Sequence, residues 1–168
     1  MMRIRPEEPR HWPAVQAVNE SAFETSAEAE LIAKLRTQAA SLVSLVAEDG
    51  DSVVGHIMFS PVTLSGHTKL KIMGLAPMAV ARPHQRSGVG SMLIRAGLDE
   101  CRRLGFGAVA VLGHPSYYPR FGFTRAADFG ITCEYEVPEE AFMLVELQPH
   151  YLKGASGTIH YHQAFSSL

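Results

Sequence analysis

The sequence predicts an α/β protein built on a central mixed, mostly antiparallel sheet that contains one parallel strand–helix–strand unit and is flanked by helices. Three stretches predict it. Ala108-Val109-Ala110-Val111-Leu112 is apolar without alternation, as expected of a strand covered on both faces. The segment from Val89 to Leu104 is amphipathic at helical spacing and lies between that strand and an earlier β-rich run, 69–80, which is the order of a parallel crossover. Glu48-Asp49-Gly50-Asp51 separates two further β-rich runs, 42–47 and 52–59, and its Asp-Gly is a hairpin signal, so antiparallel pairing is expected there.

Taken from the N-terminus, Met2 to Arg5 suits a short strand that Pro6 ends. From about Pro9 to Phe23 the apolar positions Trp12, Val15, Val18 and Ala22 recur at helical spacing, with Trp12 expected in the core. A second helix begins near Thr25, which makes a T-x-x-E capping box with Glu28. On this helix Glu28, Leu31, Ile32 and Leu35 share a face, so Glu28 is expected to point inward. After the hairpin, a looser turn at Ser65-Gly66-His67 leads into the run 69–80, which carries Pro77 in its interior. A proline cannot donate to the ladder, so it marks a bulge or the end of pairing, and this strand can splay from its neighbour.

On the long helix Val89, Leu93, Ala96, Gly97, Cys101 and Leu104 are expected to share the buried face, with Arg95, Asp99, Arg102 and Arg103 away from it and Gly105 ending it. Pro115 and Pro119 permit only a short helical turn before Phe121-Gly122-Phe123. Residues 142–147 read as another strand. The tail 157–162 alternates like an edge strand and is a possible homodimer contact. No repeat, low-complexity run or linker divides the chain, so one domain over residues 1–168 is expected.

Composition narrows the function classes. At 168 residues the chain can bury roughly 70% of its unfolded surface, enough for a core without disulfides. Fifteen Lys and Arg against seventeen Asp and Glu give a formal charge of −2, which supplies no bulk attraction to nucleic acid or to an anionic membrane. Any anion site must therefore be local. Cys101 and Cys133 lack paired spacing, which argues against a disulfide framework and a zinc knuckle, and His160 and His162 are read as solvated, so no metal is expected. The N-terminus lacks the apolar core of a signal peptide and the run 108–112 is too short to span a bilayer, so the expected location is cytoplasmic.

The local anion site is the stretch Arg82-Pro83-His84-Gln85-Arg86-Ser87-Gly88-Val89-Gly90-Ser91 at the mouth of the long helix. First-turn N–H groups have no intrahelical partner and the helix dipole adds partial positive charge there. Gly88 and Gly90 remove Cβ atoms that would keep an anion from the backbone, and Arg86, Ser87 and Ser91 add donors. A Walker loop would need a lysine after the glycines, and a dinucleotide fingerprint would need a third glycine where Leu93 stands. Gly154-Ala155-Ser156-Gly157 is one residue short of a nucleophile elbow, which makes a serine hydrolase a poor fit.

Gln85-Arg86-Ser87-Gly88-Val89-Gly90 matches the Q/R-x-x-G-x-G/A pattern, and with this order of elements the chain resembles the GCN5-related N-acetyltransferase (GNAT) family over nearly its whole length. Residues 75–80, 111–115 and 117–123 resemble the YhbS-type branch of that family. The resemblance implies an acyltransferase that moves an acetyl group from acetyl-CoA to a primary amine, on a small molecule or a peptide, by direct attack. It implies that backbone groups of Met78, Ala79 and Val80 bind the pantetheine arm and polarise the thioester carbonyl, and that Gln85 to Ser91, Val89 included, bind the pyrophosphate.

Such chemistry needs a free amine, stabilisation of the tetrahedral oxyanion and a proton for the departing thiolate. Tyr118 stands four residues before Gly122, where the family carries its acid, and Tyr117 is the alternative ring. Val111 replaces an asparagine frequent in the family. Glu28, His56 and His114 are the candidates for general base, with His114 placed beyond the carboxyl end of a buried strand. Glu28, Glu134, Glu136, Glu139 and Glu140 are acids that can attract a cationic acceptor. The rival class is a domain that binds acyl-CoA without turnover.

Overall fold

The computed structural model of the chain describes residues 2–167. Strand β1 (Met2–Pro6) is followed by helices α1 (Trp12–Phe23) and α2 (Ala27–Gln38), then by strands β2 (Val43–Asp49), β3 (Ser52–Leu64) and β4 (Ile72–Val80). Helix α3 (Val89–Arg103) leads into β5 (Ala108–Leu112), and the short strands β6 (Thr124–Arg125) and β7 (Ile131–Cys133) precede β8 (Phe142–Glu146) and β9 (Gly157–His160). The main path of the sheet runs β1-β2-β3-β4-β5-β8-β6, with β4 and β5 parallel and its other neighbours antiparallel.

The period-two alternation of strand side chains assigns each residue to a face. Leu45, Ala47, Ile57, Phe59, Val109 and Val111 pack with Val89, Leu93, Ile94, Leu98 and Cys101 of α3. Val46 and Met58 pack on the opposite side with Val15 of α1 and Leu31, Ile32 and Leu35 of α2. Ala108 and Ala110 join a third cluster with Ile72, Leu144 and Ile159. Strand β5 is thus covered on both faces, as its unbroken apolar run predicts. At Gly97 a Cβ would stand 2.2 Å from the Phe59 ring, so glycine is what lets α3 approach the sheet this closely.

Four local expectations are corrected. Trp12 is 44% exposed: it opens α1, whose inward positions are Val15, Val18 and Asn19, and its ring lies 4.7 Å under the Arg36 guanidinium. Leu104 is 39% exposed because it caps α3 outside the last helical turn, and Ile94 and Leu98 fill the inner face instead. Ser26, not Thr25, occupies the N-cap of α2, and Thr25 Oγ1 donates to the Glu28 carboxylate at 3.0 Å. The tail strand ends at His160 and is no edge. β9 pairs antiparallel with Thr63 and Leu64 of β3 and parallel with β7, so its two ladders are filled within the chain.

A buried polar knot ties β1, β2, β3 and the helices together. Glu7 accepts from Arg36 Nε at 2.9 Å and Ser44 Oγ at 2.8 Å, and His56 Nε2 lies 3.1 Å from the same carboxylate. Burial alone would raise the Glu7 pKa, but the hydrogen bonds from His56, Arg36 and Ser44 outweigh it and hold it at about 2, down from an ordinary 4.5. Burial pushes the His56 imidazole below its usual range. A carboxyl whose pKa is depressed by folding adds stability above its unfolded value, and this is lost as pH falls toward the folded one. The urea midpoint is therefore expected to begin falling below about pH 6.5, where an unfolded histidine takes up the proton that buried His56 resists, and to fall further from about pH 5 toward pH 2 as the Glu7 contribution is lost. In Glu7→Gln the midpoint at neutral pH is lower and the acid decline shallower.

Candidate active site

Where the two parallel strands part, a gap opens through the sheet. β4 pairs with β5 only from Ile72 opposite Ala108 to Leu75 opposite Val111. The next residues, Ala76 and Pro77, are joined by a cis peptide and together face a single β3 residue, Met58, in a bulge. This is the splay that Pro77 predicts.

On one side of the gap lies the loop that ends in α3. Gln85 Nε2 donates to the Val80 carbonyl at 2.9 Å, and Ser87 Oγ donates to the His84 carbonyl. Arg86 has φ +64° and Gly88, the N-cap of α3, has φ +89°, so the backbone turns sharply before the helix begins. Met92 N donates to the Gly88 carbonyl at 3.0 Å, the first bond of the helix, and the N–H groups of Val89, Gly90 and Ser91 precede it. A cleft of about 670 Å³ lies over this turn. Met78, Val80, Gln85, Arg86, Gly88, Gly90, Ser91 and His114 line it, joined by His84, Ser116, Tyr117 and Arg120.

Of the expected loop ligands, Ala79 and Val89 are buried, so only their backbone is available, and Ser87 lies outside the cleft lining. Arg120 and Ser116 were not singled out by sequence. Arg120 sits inside the Tyr117–Phe123 motif, and its guanidinium stacks 4.8 Å from the Tyr117 ring, which carries it to the cleft. With Arg86 and Arg120 present and no carboxylate among the lining residues, the cleft is built for an anion.

On the other side of the gap is a cavity of about 250 Å³ lined by Phe23, Glu28, Leu31, Leu75, Ala76, Pro77, Met78, Leu112 and Tyr118. Met78 belongs to both spaces and so stands at their junction. The two neighbouring tyrosines are divided between them. Tyr117 faces the loop, its hydroxyl 3.4 Å from Ser91 Oγ, while Tyr118 faces Glu28's cavity. Edge contacts to Tyr117 at 5.2 Å and Phe123 at 5.7 Å fix the Tyr118 ring. Its burial, with a smaller contribution from Tyr117, pushes the phenol up to about 12.

The remaining candidates separate by location. Glu28 is half-buried and shares the cavity of Tyr118. His114 is exposed on the loop side, where its carbonyl accepts from Tyr117 N at 3.1 Å. His56 is fully buried in the knot with Glu7 and lines neither space. Glu134 pairs with His160 at 2.7 Å and Glu139 with Arg125 at 3.3 Å, and Glu136 and Glu139 line a separate cavity near Cys133.

Comparison with known proteins decides the family. The family model described as acetyltransferase (GNAT) family matches residues 6–123. The chain belongs to the GNAT family of acetyltransferases. It is 37% identical over 166 residues to the uncharacterized N-acetyltransferase YhbS of Escherichia coli, covering 98% of this chain and 99% of that protein. The crystal structure of E. coli YhbS in complex with CoA superposes with a TM-score of 0.92 at 36% identity, covering 98% and 92% of the two chains. A GNAT family acetyltransferase from Brucella melitensis in complex with acetyl-CoA superposes with a TM-score of 0.81 at 34% identity over 98% of each chain. This GNAT chain is therefore an N-acetyltransferase, and no helix among its described residues is long and apolar enough to cross a membrane.

Proposed function

We propose that the protein, as one domain, transfers the acetyl group of acetyl-CoA to a primary amine by direct attack, with Tyr118 as general acid and Glu28 as the carboxylate that receives the amine proton. The observation that carries this is the single gap between β4 and β5, with a basic loop cleft on one side and a carboxylate beside a protonated phenol on the other. The CoA and acetyl-CoA complexes of two relatives support it.

The loop fits the group. Gly90 has no Cβ, and one built there would stand 3.1 Å from the Tyr117 hydroxyl, inside the cleft. First-turn N–H groups of α3, with Arg86 and Arg120 lining the same cleft, would hold the pyrophosphate. Backbone groups of β4 from Met78 to Val80 lie past the last pairing with β5, which supports their use by the pantetheine arm. Acetyl-CoA supplies the thioester carbon that is attacked and the sulfur that leaves. Tyr118 retains its proton at neutral pH and can donate it from Oη. Glu28 draws an ammonium into the cavity and takes its proton; in support, Glu28 lines the cavity of Tyr118, whereas His114 lines the loop cleft and His56 is buried in the core.

Thiol release with a panel of amines, set beside a calorimetric CoA titration, tests the proposal. CoA binding together with transfer is expected. Tight binding with no transfer to any amine would instead favour a non-catalytic acyl-CoA-binding domain. In Glu28→Gln we expect kcat/KM to fall by about 10² and the acidic limb of the pH–rate profile to change. An unaltered profile removes Glu28 from the mechanism.

A further inference from the structure

Beyond Glu28's cavity lies a second one, of about 330 Å³, lined by Leu75, Ala76, Leu112, Tyr135, Tyr161 and Phe165. The two share Leu75, Ala76 and Leu112 and so adjoin each other, the first reaching Tyr118 and the second Tyr161 and Phe165. Among the described residues Glu28 is the single charged side chain lining either part, and it lines the Tyr118 part. The outer part is walled by three aromatic rings, with Tyr135 and Tyr161 6.0 Å apart and Tyr161 and Phe165 5.3 Å apart. Leu112, 43% exposed at the end of β5, forms the sill between the two parts.

From this juxtaposition we infer that the acceptor is a primary amine carrying an aromatic body, its nitrogen at Glu28 and Tyr118 and its ring in the outer cavity. The inference rests on the proposed transfer to an amine and specifies the acceptor. The charge pattern matches such a molecule end to end: one carboxylate where the ammonium must sit and apolar walls where the body must sit. A polyamine would place its second cation among Tyr135, Tyr161 and Phe165 with no carboxylate lining the wall to receive it. Size agrees as well, since an apolar cavity of about 150 Å³ already admits benzene. None of the acids that sequence singles out near the C-terminus lines this space; Glu134 stands beside Tyr135 and Tyr161, but its carboxylate is paired with His160 at 2.7 Å, and Glu139 is paired with Arg125.

The test measures kcat/KM of the full chain with acetyl-CoA for phenethylamine, ethylamine and putrescine at one neutral pH, where all three are chiefly ammonium, per unit of total amine, alongside CoA affinity by calorimetry. Phenethylamine should exceed both others by about tenfold or more, the scale on which an apolar pocket discriminates. In Leu112→Glu, a change at an exposed position that puts a carboxylate on the sill, the ratio of phenethylamine to ethylamine should fall at least fivefold with CoA affinity retained. CoA binding with ethylamine or putrescine matching phenethylamine, with no transfer to phenethylamine, or with an unmoved ratio in Leu112→Glu, would overturn the aromatic-amine assignment alone. Absent CoA binding would overturn the transfer reading beneath it.

Discussion

Tyr118→Phe is expected to lower kcat by about 10²–10⁴, the range for a positioned general acid, while CoA affinity stays close to that of the unsubstituted protein. The ring sits in a closed slot. A Cβ at Gly113 would stand 2.4 Å from it, and Tyr117 and Phe123 meet it edge-on. Phenylalanine fills the same slot, so the substitution removes the hydroxyl and little else. That hydroxyl has its pKa pushed up to about 12 by burial, so it remains a donor across the working range and does not itself end activity on the alkaline side below pH 10. Thiol-release kinetics from pH 6 to pH 10 for Tyr118→Phe and Tyr117→Phe, with CoA calorimetry for each, decide the matter. Full turnover in Tyr118→Phe at every pH, with a loss in Tyr117→Phe, would transfer the role to the ring that faces Ser91.

Features of the site carried by contiguous residues were legible in the sequence. The glycine loop, the amphipathic helix after it and the proline that ends strand pairing each act within a few residues, and Leu75 opposite Val111 is indeed the last rung before the gap. Partners distant in sequence were not legible. Alternation in the tail shows that one face of β9 is covered, but not that Thr63 and Leu64 on one side and β7 on the other complete its ladders. Helical spacing placed Trp12 on a stripe with Val15 and Val18, yet its position at the start of α1 turns it outward under Arg36. The knot of Glu7, Arg36, Ser44 and His56 joins residues from four segments, and none of them carries a local sign of the others. The outer cavity has the same character, since Leu75, Leu112, Tyr135 and Phe165 meet only after the C-terminal turn packs against the gap.

Gly90→Leu is expected to weaken CoA binding by about a hundredfold or more, the result of a side chain filling space the ligand needs. The two glycines of the loop do different work, and the structure separates them. At Gly88 φ is +89° and a Cβ would meet nothing within 4 Å, so a side chain there is opposed by the backbone conformation, at a cost of about 1–2 kcal/mol. At Gly90, inside the first turn of α3, a Cβ would lie 3.1 Å from the Tyr117 hydroxyl and 3.6 Å from Met78 Cε, so a side chain there projects into the cleft mouth. Gly88→Ala should therefore lower the urea midpoint and weaken CoA binding less, whereas Gly90→Leu should act chiefly on binding. Calorimetry with CoA and urea unfolding of both variants separate these effects. A Gly90→Leu protein that unfolds at the usual midpoint and binds CoA undiminished would show that the anion is held elsewhere than at the start of α3.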